Sequence, residues 1–121
     1  MKIKIISVGK TKAKYWQLAE VDFTKRIQRY ADLQLIYVKD ASLESTKNVK
    51  VVKKIEAQRI LDKITPEEFV IALDRCGTQM ESRMFAQFLH NKMLQRINEF
   101  TFVVGGPLGL TQDFLQEADL I

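Results

Sequence analysis

From its amino end the chain runs Lys2-Ile3-Lys4-Ile5-Ile6-Ser7-Val8, where apolar and polar residues alternate. Strand side chains point to opposite faces in turn, so Ile3 and Ile5, with Val8 assigned beside them, mark one face. Ile6 breaks the alternation and predicts a strand covered on both sides. Gly9-Lys10-Thr11 marks a turn, and across residues 12–30 Trp16, Ala19, Phe23, Ile27 and Tyr30 recur at spacings of three and four. That spacing predicts an amphipathic helix with Lys14, Lys25 and Arg29 on its opposite side, either a phosphate-facing stripe or a solvated face. Residues 33–38, rich in β-branched and aromatic side chains and flanked by Asp32 and Asp40, predict a second strand. Residues 40–48 are polar and aperiodic and predict an exposed loop of the kind that often binds ligands.

A second helix is predicted over residues 49–64, with Ala57, Ile60, Leu61 and Ile64 on one side, Val51 and Ile55 on another, and Thr65-Pro66 as its end. Residues 68–73 are nearly all apolar, as expected of a central strand between helices. Residues 81–97 predict a third helix with Phe85, Phe88, Leu89 and Met93 on one face, interrupted by Lys92 and Arg96. A fourth strand over 100–104 leads through Gly105-Gly106-Pro107-Leu108-Gly109 into a short helix over 111–118, with Thr111 as its N-cap. Strands alternating with helices predict an α/β fold: an open, mostly parallel sheet with helices on both faces and right-handed crossovers. Such sheets bind ligands beyond the carboxyl ends of their strands, which directs attention to the loops after Leu73 and Val104.

A length of 121 residues suits about one domain, taken as 1–121. Hydrophobic residues at 46%, charged residues at 28%, five Gly and two Pro exclude disordered, collagen-like and fibrous classes. No apolar run approaches the ~20 residues of a membrane span, and the amino end lacks a signal-peptide pattern; a cytoplasmic protein is expected. Cys76 is the only cysteine, so an intramolecular disulfide and a thiolate zinc cluster are excluded. Charge is uneven: residues 1–64 carry 15 Lys/Arg against 7 Asp/Glu, and residues 65–121 carry 4 against 8. A basic half of this kind suits a polyanion such as RNA or DNA, and equally a solvated surface that keeps the protein soluble.

The glycine-rich segment 105–109 lets backbone approach a ligand closely and adopt positive φ. It lacks the Gly-Lys-[Ser/Thr] of a phosphate-binding loop and the spacing of a dinucleotide fingerprint, and Pro107 removes one donor; a tight strand-to-helix turn is the alternative. Asp74, in Asp74-Arg75-Cys76-Gly77, suits a ribose hydroxyl or a substrate amine, or an ordinary loop. No histidine stands near Cys76 in sequence to activate it, and His90, the sole histidine, lies off the apolar face of its helix. No metal site or hydrolytic triad is indicated.

Four segments together resemble a specific family: residues 1–10, Ile55-Glu56-Ala57-Gln58-Arg59-Ile60-Leu61, Val70-Ile71-Ala72-Leu73-Asp74 with Gly77, and Phe102-Val103-Val104-Gly105-Gly106-Pro107-Leu108-Gly109-Leu110. In this order they look like the ribosomal RNA large subunit methyltransferase H family of the SPOUT (α/β-knot) superfamily. The resemblance implies a homodimeric enzyme that transfers methyl from S-adenosylmethionine to ring nitrogen 3 of a pseudouridine in 23S ribosomal RNA, without a metal. By similarity, Leu73, Gly105 and Gly106 match family positions that line the cofactor pocket. Family members continue through another strand, a cofactor loop with a Pro-His pair and a last helix with a Tyr-Arg motif and a Tyr-His tail. This sequence ends at Ile121. The expectation is therefore a fold lacking the knot segment, with an exposed sheet edge, an open pocket, weak or no cofactor binding and no assigned catalytic residue. A non-catalytic RNA- or ribosome-binding module and a flavodoxin-like nucleotide-binding domain are the alternatives.

Overall fold

A computed structural model describes residues 1–41 and 48–121. The elements are β1 (Lys2–Val8), α1 (Lys14–Ile27), β2 (Asp32–Val38), α2 (Val49–Leu61), β3 (Phe69–Leu73), α3 (Ser82–Leu94), β4 (Glu99–Val104) and α4 (Gln112–Glu117). The four strands form one parallel sheet in the order β2-β1-β4-β3. The α/β class and the parallel sheet are as the sequence pattern predicts.

Alternation along each strand sorts the side chains onto two faces. One face carries Ile6, Val8, Ile36, Val38, Val70, Ala72 and Val103, packed under Ala57 and Ile60 of α2 and Phe114 of α4. Val8 thus sides with Ile6, away from Ile3 and Ile5, because an even spacing keeps two residues on one face. The other face meets α3 through aromatic rings: Phe69 lies 5.9 Å from both Phe88 and Phe100, and Phe85 lies 6.0 Å from Phe102. Lys92, which interrupts the apolar stripe of α3, lays its ammonium over Phe69 and Phe88 at 5.3 and 5.5 Å, so its stem still packs with the rings.

β3 is not central. It stands at the end of the four-strand order, while β1 and β4 hold the middle. Its apolar character has another cause: Ile71 and Ala72 are buried on opposite faces, and its outer edge is occupied by residues 119–121. Asp119 and Leu120 donate their N–H groups to the Val70 carbonyl, Ala72 donates to Leu120 at 2.9 Å, and Thr78 donates to Ile121 at 2.9 Å. The outer edge of β3 is thus paired along these residues.

Helix ends differ from the sequence reading. Tyr30 lies beyond α1, Ile64 beyond α2 and Ile97 beyond α3. In the first two cases the residue donates back to Ile27 or Leu61 in a turn that keeps the apolar spacing without continuing the helix, and after α3 the chain reverses at Arg96 with φ 68°. Of the loop predicted over 40–48, residues 42–47 lie outside the described residues. Ala41, expected to be exposed, is fully buried.

Candidate functional site

Parallel register sets the site. Leu73 at the end of β3 is level with Val104 at the end of β4, which in turn is level with Ser7 near the end of β1. The bends that follow Leu73 and Val104 therefore start side by side at the carboxyl edge of the sheet. Together with Lys53 from α2 they line one cleft of about 530 Å³, within the usual range for small-molecule sites. Leu73, Gly105 and Gly106, matched by resemblance, all face this cleft, as do Asp74, Arg75 and Cys76. His90, on α3, is exposed and is not among its walls.

Each bend is locally fixed. After β3 the Asp74 carboxylate accepts the Cys76 N–H at 3.0 Å, and the Gly77 N–H reaches the Asp74 carbonyl at 3.0 Å. One carboxylate oxygen of Asp74 thus shapes the turn, the loop role weighed for it from sequence. After β4 the Gly109 N–H returns to the Gly106 carbonyl at 2.9 Å, and Gly109 takes φ +85°, a conformation that favours glycine. Buried Leu110 follows, and the Thr111 hydroxyl accepts the Phe114 N–H at 3.1 Å to cap α4, whose Phe114 anchors the turn in the core.

Gly106 serves close approach. A Cβ there would stand 2.9 Å from Oε1 of Glu56 and 3.2 Å from Cγ1 of Val8, so any side chain would force a shift. At Gly105 a Cβ would press on Leu110 at 3.0 Å. The glycine pair therefore lets the turn pack closely against Glu56, Val8 and Leu110 behind it.

The cleft is chemically mixed. Leu73 and Val104 give an exposed apolar floor at the strand ends. Lys53 and Arg75 bring positive charge and Asp74 a negative one. Behind the wall, burial pushes the Glu56 carboxyl above the ordinary glutamate range; the Ala41 N–H opposes this, its hydrogen bond and charge interaction with Asp40 reinforce it, and Arg59 opposes it. Such a surface can hold a ligand with a flat apolar part and a few polar groups, and its basic rim suits a phosphate-bearing partner.

Sequence reasoning did not single out Lys53 or Glu56 for the site. A signal existed for Glu56: Val52, Glu56 and Ile60 follow one another at four-residue intervals and all three are buried, so a carboxylate stands in the middle of an apolar stripe. Lys53 carried no distinguishing pattern among its neighbouring lysines.

Comparison with known proteins identifies the family. Residues 1–121 match the family model described as "Predicted SPOUT methyltransferase". Ribosomal RNA large subunit methyltransferase H of Carboxydothermus hydrogenoformans is 43% identical over 123 aligned positions, covering 98% of this chain and 77% of that protein. With a parallel sheet whose third and fourth strands end on a shared cleft, and with a match along its whole length, this chain belongs to the SPOUT methyltransferase family.

Proposed function

We propose that the protein is an S-adenosylmethionine-dependent methyltransferase of large-subunit ribosomal RNA, acting at ring nitrogen 3 of a pseudouridine. The observation that carries the cofactor assignment is the meeting of the two bends, after β3 and after β4, around one cleft at the carboxyl edge. The named activity of the Carboxydothermus relative supports the RNA substrate, and the basic residues of 1–64 supply the charge such a substrate needs.

The residues present fit the group. Leu73 and Val104 offer an apolar bed, the 105–109 turn offers backbone donors and acceptors, and Asp74 offers a carboxylate to a hydroxyl or ammonium. When bound, the cofactor supplies an activated methyl group on a sulfonium centre, so the protein has chiefly to bind, align and desolvate. Leu73, Gly105 and Gly106 are the proposed cofactor-binding residues, and no residue is assigned to take up the imide proton. Residues 1–121 are taken as one domain working in the cytoplasm. No helix among the described residues is long and apolar enough to cross a membrane. A homodimer completes the reading: Tyr15, Trp16, Leu18, Val21 and Phe23 of α1 are all exposed, a surface that a second copy would cover.

The test is transfer of radiolabelled methyl from S-adenosylmethionine to unmethylated large ribosomal subunits, followed by nucleoside mass spectrometry. Protein-dependent label recovered as N3-methylpseudouridine is expected at high S-adenosylmethionine concentration, since the open cleft is expected to hold the cofactor weakly. Label absent from the RNA, with ribosome association that is nonetheless salt-sensitive, would overturn the enzyme reading in favour of a binding module.

A further inference from the structure

Glu56 is the single ionisable side chain among the described residues that is buried in the sheet-and-helix core, at 3% exposure. Its Oε2 accepts the Ala41 N–H at 3.0 Å, where the chain leaves β2. Its Oε1 is buried without a hydrogen-bond partner and lies 2.9 Å from the point where a Cβ of Gly106 would stand; Val8 at the end of β1 borders the same point. One carboxyl thus holds the segment after β2 through Ala41 and lies behind the glycine turn at Gly106, beside Val8. The bond to the Ala41 N–H gives Oε2 a structural reason to be here, since an apolar residue would leave that buried donor unpaired, but it gives none for Oε1.

We propose that Glu56 is a positioning residue for the Gly105-Gly106 turn, its carboxyl seating the turn against β1 and the segment after β2, so that gain or loss of its proton shifts the turn. The chemistry is direct. In the protonated form the carboxyl can donate, as in its hydrogen bond with Asp40, whereas in the ionised form it is an acceptor only and repels that residue. The charged groups facing it are Asp40 from the segment after β2 and Arg59 from its own helix, whose guanidinium also donates to the Lys39 carbonyl at 2.9 Å. Val8 and Gly106 bring no titratable group from the strand and the turn. Burial raises the pH at which the proton leaves, which places the event nearer neutrality than for a surface glutamate.

The consequence for the cofactor rests on the function proposed above; the effect on the turn does not, and the experiment separates the two. Amide resonances of Gly105 and Gly106 are followed from about pH 4 to pH 8 in the unliganded protein, with Gly77 as a control, in the wild type, in Glu56→Gln and in Asp40→Asn. The expected result is a titration of both amides in step with the Glu56 carboxyl carbon, its absence in Glu56→Gln, and a shift to lower pH in Asp40→Asn. Amides that stay flat in the wild type, or titrate equally in Glu56→Gln, would overturn the proposal. S-adenosylhomocysteine is then titrated calorimetrically across the same range. An affinity for S-adenosylhomocysteine that changes with pH in the wild type and not in Glu56→Gln extends the role to the cofactor. If the amides titrate as expected but the ligand leaves the turn unperturbed, the positioning role stands and the cofactor reading fails.

Discussion

The two faces of the sheet are made from the same four strands, yet they are finished differently. Beneath α2 and α4 the side chains of Ile6, Ile60, Ala72 and Val103 are fully buried and form a continuous core. On the other face neither helix has a fully buried residue: α3 sets the half-buried Phe85 and Phe88 against the rings of β3 and β4, and α1 leaves Trp16 at 60% and Phe23 at 57% exposure. Between α1 and the strands runs a largely apolar groove lined by Ile5, Leu35, Ala19, Phe23 and Ile27. The difference teaches that an amphipathic period tells which way a helix faces, not how tightly it is covered. The closed face holds the fold and anchors the glycine turn through Leu110 and Phe114; the half-open face is available for association.

Substitutions break or sharpen this contrast. The largest effect is expected at Ile60→Ala, which empties a fully buried position on the closed face and should cost about 3 kcal/mol in urea unfolding. A loss no greater than that of a surface variant would contradict the division between faces. Next comes pH. Because burial raises the Glu56 carboxyl above its unfolded value, its contribution to stability is whole below the ordinary glutamate range and is lost as pH rises through the raised native value. The stability difference between Glu56→Gln and wild type should therefore move in favour of Gln on going from acid to neutral pH, as read by thermal melts; a difference that does not change with pH would contradict it. Thr111→Ala removes the cap of α4 and should cost about 1 kcal/mol, with the Gly105 and Gly106 amides becoming less protected in hydrogen exchange. The smallest effect on the monomer is expected at Phe23→Ala, under about 1 kcal/mol. The same change should weaken self-association measured by sedimentation, and an unchanged association constant would remove α1 from the proposed dimer surface.

Much of the fold was legible because its strands are short and apolar: β1 has the bounds read from sequence, and β2, β3 and β4 agree within one residue. Strand order was not legible. Nothing in Phe69-Val70-Ile71-Ala72-Leu73 distinguishes a central strand from one whose outer edge is paired with residues 119–121, since both bury the same faces. Helix ends were overrun for a related reason: Tyr30 and Ile64 keep the helical spacing inside turns that follow the helix. The candidate site was readable where backbone chemistry is written in residue type, at Gly105, Gly106 and Gly109. It was unreadable where a wall is built through space, because Lys53 and Glu56 reach the glycine turn only after α2 has packed across the sheet.

The central claim is that the ends of β3 and β4, and not another concavity, receive the methyl donor. The most direct measurement is amide shift mapping with S-adenosylhomocysteine added to the isotope-labelled protein. The account predicts concentration-dependent changes centred on Leu73, Gly105 and Gly106, and their loss in Gly106→Val, where the added side chain would meet Glu56. Changes centred instead on the groove between α1 and β2, or on Lys2, Lys4 and Glu68 at the amino edge of the sheet, would contradict it.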